Sequence, residues 1–141
     1  MLKATVSHFE IPARDPERAA RFYHEVFGWS VEPLAWEHPY YKVRSSALSS
    51  TAGREGIDGG ITEAGAGLDH PLLMIHVEGE ELESVLERIT AAGGRIDLPA
   101  TPVGSMGSWA RFRDPEGNLL GLWIAAPRVL PQAGAGERRK E

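Results

Sequence analysis

One order of apolar and turn-forming segments occurs twice along the chain, and this repeat constrains the fold more than any other feature. Val6 to Ile11 reads as a strand stopped by Pro12. Asp15-Pro16-Glu17 then opens a helix, with Asp as N-cap, Pro at the first helical position where no N–H is needed, and an acid in the first turn. Ala19, Phe22, Tyr23, Val26 and Phe27 recur at helical spacing, and Gly28 follows where a left-handed residue would end the helix. Strand-like stretches span 29–34 and 40–45, separated by a turn near Glu37-His38-Pro39. A loop rich in Ser, Gly and Ala runs on to Asp58, and a short strand from Gly59 to Glu63 closes this half. After Ala64-Gly65-Ala66-Gly67 the order restarts: a strand from Leu72 to Val77, then a helix from Glu81 to Ala92 with Leu82, Val85, Leu86 and Ile89 on one face. Gly93-Gly94 stops that helix, and strands follow at 95–98, 108–113 and 119–124. Asp114-Pro115-Glu116-Gly117-Asn118 makes the turn before the last of them. A shift of 65 residues carries Gly28 onto Gly93 and superposes the two helices (28 + 65 = 93).

Each unit is therefore a β-α-β-β-β module. Its single helix covers one face of its strands and leaves the other face in need of a partner. Two such sheets facing the same interior make a cup. The expected fold is α+β: modules over 5–63 and 72–126, joined by a linker at 64–71, form a curved, cup-like mixed sheet. Residues 1–141 then make one domain, with 127–141 as a flexible tail.

Composition removes several classes of function. The formal charge is −5, and the basic residues are scattered except for Arg138-Arg139-Lys140 in the tail, so no basic stripe for nucleic acid is expected. No apolar run approaches the ~20 residues that cross a bilayer, and the N-terminus lacks the apolar core of a signal peptide. The absence of cysteine excludes disulfides, thiolate metal sites and cysteine nucleophiles. A cytoplasmic setting is expected. Gly53-Arg54-Glu55-Gly56 and Gly104-Ser105-Met106-Gly107 do not precede helices as a phosphate loop would, so they read as turns or flaps.

Two stretches carry a family resemblance: His8 to Pro12 with Asp15 to Tyr23 and Val26 to Trp29, and Asp114 to Asn118 with Leu119 to Trp123. They resemble the vicinal oxygen chelate superfamily, which holds glyoxalase I, bleomycin-resistance proteins and extradiol dioxygenases, and within it the glyoxalase-like branch. The resemblance spans about 5–126. It implies the repeated-module fold and a homodimer whose cup closes within one chain or across two. In metal-bearing members it implies four ligand positions, on the first and last strand of each module. Carried over, these fall on His8, near Ile61 (where Glu63 offers the nearest oxygen), on Leu73 and on Gly121. Leu73 and Gly121 have no ligating side chain. His8 and Glu63 are then the residual metal candidates, so no cofactor is expected and a divalent metal is disfavoured.

Strand alternation assigns the cup lining. With His8 facing the cup, the 65-residue shift turns Leu73, Ile75 and Val77 inward and His76 toward the helix side; a one-residue slip would bring His8 and His76 to one face. Leu119, Gly121 and Trp123 share the cup face of the last strand, Trp109 and Arg111 that of the strand before it, and Tyr40, Lys42 and Arg44 one face of the third. The expected ligand-contacting set is Tyr40, Leu73, Ile75, Trp109, Arg111, Gly121 and Trp123. Trp123 also serves as packing in the blander reading, and Arg111 and Arg113 as surface partners of Asp114 or Glu116. Such a cup suits a small hydrophobic or aromatic molecule. A second reading is a lyase, isomerase or ring-modifying enzyme with His8 and Glu10 as acid-base pair, or with a metal. A third is an interaction subunit.

Overall fold

The computed structural model describes residues 2–36, 38–45 and 56–127. The expected tail beyond residue 127, the Gly53–Glu55 part of the loop turn and Glu37 lie outside these residues. Module one consists of β1 (Lys3–Ala13), α1 (Pro16–Phe27), β2 (Ser30–Pro33), β3 (Tyr40–Arg44) and β4 (Gly59–Glu63). Module two consists of β5 (Leu72–Glu78), α2 (Leu82–Ala91), β6 (Arg95–Val103), β7 (Gly107–Arg113) and β8 (Leu119–Ala125). No helix among the described residues is long and apolar enough to cross a membrane.

The eight strands form one mixed sheet in the order β2-β3-β4-β1-β5-β8-β7-β6. The first strand of each module pairs in parallel with the last, β1 with β4 and β5 with β8, and the remaining pairs are antiparallel. The modules join through β1 and β5, so the cup closes within one chain.

Local chemistry accounts for the element ends. Asp15 accepts a hydrogen bond from the Arg18 N–H at 3.1 Å, Pro16 starts α1, and Gly28 in the left-handed region (φ 70°) ends it. β1 runs past Pro12, where the sequence predicted a stop. Its pairing with β5 ends at Glu10, so at Pro12 only β4 is beside the strand. β6 likewise runs through Pro99 and Pro102, which an edge strand tolerates.

Three apolar clusters hold the fold. α1 packs on Val43 and Ile61 with Phe9, Ile11, Tyr23 and Trp29 around them. α2 packs Leu82, Val85 and Leu86 on Val77, Ala110 and Leu122. The third cluster lies on the opposite face of the sheet, where Leu68 meets Leu72, Met74, Trp109, Leu119 and Trp123.

This third cluster corrects the expected lining of β5. A β-bulge between Val6 and His8 shifts the register, so His8 lies opposite Met74 and Phe9 opposite Leu73. Leu72 and Met74 face the cup. Ile75 and Val77 pack toward α2, and Leu73 shares their side of the strand. The modules agree on the point: Pro12 pairs with Thr62 as His76 pairs with Trp123. The first strands are therefore related by 64 residues (12 + 64 = 76), as are the helix C-caps, Gly28 and Ala92 (28 + 64 = 92). One residue of slip exchanges every side chain between faces. On β3, β7 and β8 the alternation predicts the faces observed: Tyr41, Val43, Ala110, Phe112, Leu122 and Ile124 pack under the helices, while Trp109, Leu119 and Trp123 line the cup.

Candidate functional site

The concave face divides into two chemically different halves. In module one, β1 directs His8 and Glu10 inward. His8 Nε2 lies 3.2 Å from Glu10 Oε1, and the same oxygen accepts the Tyr40 hydroxyl at 2.9 Å. The bulge brings the Ser7 hydroxyl to 2.8 Å from His8 Nδ1, and Ser7 also reaches the Met74 carbonyl at 3.3 Å. The result is a continuous polar chain, Ser7–His8–Glu10–Tyr40, hydrogen-bonded at both ends and joined in the middle by the His8–Glu10 contact. The Ser7 hydroxyl has a single proton, so it donates either to the Met74 carbonyl or to Nδ1; in the second case the Nε2–H faces the carboxylate.

The chain is graded in exposure. The Glu10 side chain is 13% exposed and that of His8 29%, so the imidazole is its accessible end. Glu10 Oε2 is buried without a hydrogen-bond partner among the described residues. Burial pushes the Tyr40 phenol far above its ordinary range, and the charge and hydrogen bond of Glu10 push it further. Tyr40 thus stays a neutral donor. Trp36 packs its ring 4.4 Å from that of Tyr40 and remains 43% exposed, an aromatic surface at the mouth of this half.

Module two fills its half with its own side chains. Leu72, Met74, Trp109, Leu119 and Trp123 form the floor, and Leu68 of the linker seals it. Arg111, 6% exposed, has its Nε 2.9 Å from Asp97 Oδ2, in an ion pair too bent to count as a hydrogen bond. Its Nη2 donates to the Ala66 carbonyl at 2.6 Å, and its guanidinium lies 5.5 Å from the Trp109 ring centre. Arg111 is therefore a buried residue and not a surface partner of Asp114 or Glu116; Arg113 donates to the Gly117 carbonyl.

The residues do not fit the metal site of the family pattern. Registers place Gly60 and Gly121 in equivalent positions, opposite Glu10 and Met74, and His8 becomes equivalent to Leu72 (8 + 64 = 72). The four positions are then His8, Gly60, Leu72 and Gly121, with one ligating side chain among them. The space beside each glycine is taken: a Cβ at Gly60 would collide with the Tyr40 hydroxyl, and one at Gly121 with the Met74 sulfur. Ile61 is fully buried beneath α1, and Glu63 is exposed at the end of β4 on the side of the strand away from the cup. His76 does share the cup face with His8, but its Nδ1 is 3.7 Å from Glu78. Among the described residues no group of three or more His, Cys, Asp or Glu is placed to hold a metal.

Of the residues the sequence singled out, His8, Glu10 and Tyr40 come together, and Trp109, Arg111, Gly121 and Trp123 gather in the other half. Leu73 and Ile75 lie on the far face. Sequence reasoning missed Ser7, Trp36, Met74 and the Leu68 plug. Ser7 depends on a bulge that no turn residue announces, and Leu68 sits in what reads as a flexible linker. Two open surface grooves lie elsewhere, at Arg14, Asp15, Arg18 and Phe22 and at Leu86, Thr90, Ile96 and Pro99, and neither touches His8.

Comparison with known proteins bears on this geometry. The Mycobacterium bovis protein CFP32 is 23% identical over 125 residues, covering 87% of this chain and 46% of its own. The chain thus spans about half the length of the mycobacterial relatives it matches. A glyoxylase-like domain-containing protein of Didymella fabae is 28% identical over 121 residues, covering 84% of this chain and 91% of that one. A hypothetical protein from Bacillus halodurans C-125 shares the fold with a TM-score of 0.58 at 11% identity, over 92% of this chain and 99% of that one. Residues 5–122, both modules almost entire, match the family itself, and the chain belongs to the Glyoxalase/Bleomycin resistance protein/Dioxygenase superfamily.

Proposed function

We propose that this chain binds a small aromatic or amphipathic molecule on the module-one half of its cup. Trp36 and Tyr40 form the apolar wall and His8 the polar end, with no resident metal at the four positions of the family pattern. One observation carries the reading: a half-exposed aromatic surface stands beside a hydrogen-bonded imidazole whose inner partners are part-buried. Pockets of this kind take most of their affinity from apolar contact and their orientation from a few fixed polar groups. Absence of cysteine supports a cytoplasmic setting. Phe22, Val26 and Phe27, each more than half exposed on α1, support a homodimer.

A second reading is favoured by the Ser7–His8–Glu10 chain. Glu10 orients the His8 imidazole toward the open end of the chain, where His8 would exchange a proton with a bound molecule, as in an isomerase or lyase.

The two readings separate in one experiment. Phenol, catechol and benzoate are titrated while tryptophan fluorescence is followed, and wild type is compared with Trp36→Phe and His8→Ala. The binding reading expects quenching that Trp36→Phe removes, with affinity weakened at least about tenfold in His8→Ala. Quenching that survives Trp36→Phe unchanged would place the ligand elsewhere. Turnover lost in His8→Ala with affinity kept within a few-fold would establish the acid-base reading. A transition metal held tightly by protein purified without added metal would overturn the metal-free part of the reading.

A further inference from the structure

We infer that residues Gly65 to Leu68 form a displaceable plug over a second binding compartment, and that this compartment takes a neutral apolar molecule bearing one carbonyl oxygen. The inference does not rest on the module-one site.

The plug closes on itself. Gly65 and Leu68 exchange backbone hydrogen bonds, N–H to carbonyl, at 3.2 and 2.9 Å, so its small loop needs no ladder from the sheet. Two contacts attach it to the cup: the Leu68 side chain, 6% exposed among aromatic and aliphatic groups, and the Ala66 carbonyl on Arg111 Nη2. Ala66 has a positive φ of 51°, a conformation a residue with a Cβ seldom adopts, between Gly65 and Gly67, which also have positive φ. Gly65, Ala66 and Gly67 are exposed. The segment can lift without breaking a strand, and what it uncovers is a floor of Met74, Trp109, Leu119 and Trp123 with one buried guanidinium.

The occupant reports the chemistry of the site. It offers a branched aliphatic group to the tryptophans and a neutral carbonyl to Arg111. Asp97 already balances the charge of Arg111, and the β6 bulge that places Asp97 there would set its carboxylate against an incoming anion. A ketone, amide or ester carbonyl therefore suits the site better than a carboxylate. The Arg111 Nε side stays with Asp97, so the donor offered to a ligand is the Nη2–H that the Ala66 carbonyl now takes.

The test uses the full chain carrying Trp36→Phe, which silences the module-one reporter and keeps the other tryptophans. The probes are 4-methyl-2-pentanone and its hydrocarbon counterpart, 2-methylpentane. Leu68→Ala removes the plug's side chain and is expected to bind the ketone roughly tenfold more tightly than the parent. It is also expected to prefer the ketone to the hydrocarbon, and Arg111→Met in the Leu68→Ala background to lose that preference. Equal affinity of Leu68→Ala for both probes would reduce the site to a plain apolar cavity and overturn the inference, as would the absence of binding. Should the Arg111→Met chain fail to fold, NMR decides: the Trp109 and Trp123 indole signals and the Arg111 side-chain N–H of Leu68→Ala must shift with ketone. Failure of the module-one reading alters only the Trp36 signal, so the two outcomes stay distinct.

Discussion

The two modules share a backbone plan and use it differently. Beneath the sheet, α2 buries Leu82, Val85 and Leu86, whereas α1 buries only Pro16 and Ala20 and leaves Phe22, Val26 and Phe27 exposed. Above the sheet, the equivalent glycines receive different neighbours: Gly60 lies under Tyr40 and Glu10, and Gly121 under Met74. Module two is thus packed on both faces, whereas module one has an apolar face left exposed on α1 and a polar, partly open cup face. A repeat that keeps its hydrogen-bonding frame can assign stability to one copy and recognition to the other, because the frame specifies faces and spacing but not the side chains that use them.

The largest expected effect tests that division directly. Leu86→Ala in module two should cost about 2–5 kcal/mol of stability, as a leucine deletion in a closed core does, measured by urea denaturation. Phe22→Ser on α1 should cost far less in the monomer. If the exposed α1 face is covered by a second copy, Phe22→Ser and Phe27→Ser together should instead lower the association state seen by sedimentation. Equal destabilisation by Leu86→Ala and Phe22→Ser would remove the contrast between the modules.

Tyr40 gives the next largest effect. Tyr40→Phe removes the phenol that donates to Glu10 and leaves a part-buried carboxylate with one partner fewer, a loss of about 1–2 kcal/mol. The pH dependence has a definite sign. A group whose folded pKa is raised contributes stability that is complete below its unfolded pKa, about 10 for tyrosine, and that fades as pH rises toward the folded value. Stability should therefore fall above about pH 10 in wild type, and less steeply in Tyr40→Phe. Tyrosinate absorbance checks this: the wild-type minus Tyr40→Phe difference should show no ionisation step near pH 10 while the protein stays folded. A step there would mean that Tyr40 is not shielded beside Glu10.

Much of this architecture was legible in the sequence, and the reasons are local. Asp15-Pro16 and Gly28 announce α1 because caps and backbone freedom act within a few residues. The faces of β7 and β8 follow from alternation, since β7 and β8 pair without irregularity from Gly107 to Arg113. β5 could not be read the same way. Its face is set by the bulge near Ser7 in a partner strand 67 residues away, a contact visible only once the strands are paired. The same limit hid most of the site. His8 and Glu10 stand out by their parity, but Ser7 and Trp36 acquire roles only through neighbours distant in sequence. Leu68 looked like linker because small residues surround it, and its burial depends on the apolar side chains of Met74, Trp109 and Trp123, distant in sequence. Pro12 and Pro99 misled for a related reason, because a proline ends a strand only where the neighbour on its N–H side needs that donor.

The smallest effect lies in the connections that lead into β4 and β8, where the modules again solve one problem twice. In module one, Asp58 accepts the Ser45 N–H at 3.0 Å at the base of a long connection. In module two, a five-residue turn is closed by Asp114, which accepts the backbone N–H groups of Glu116 and Asn118 and the Asn118 side-chain amide, each at 2.9 Å. The Asn118 side-chain hydrogen bond, helped by these backbone N–H groups, holds the Asp114 carboxyl below its ordinary range. A depressed carboxylate contributes stability above its unfolded pKa, about 3.9, and loses it as pH falls through the folded value. Because Asp114 is no more than half-buried and Pro115 to Asn118 are exposed, the loss should appear as local opening of the turn and not as unfolding of the sheet. Amide NMR between pH 5 and 2 would follow the Asn118 N–H, whose shift should report Asp114 protonation at a midpoint below about 3.9. Asn118→Ala should raise that midpoint and leave the Trp123 indole unmoved. A midpoint unchanged by Asn118→Ala would assign closure of the turn to its backbone alone, and module two would then owe its compactness to the packing around Leu122 and Met74 without help from this loop.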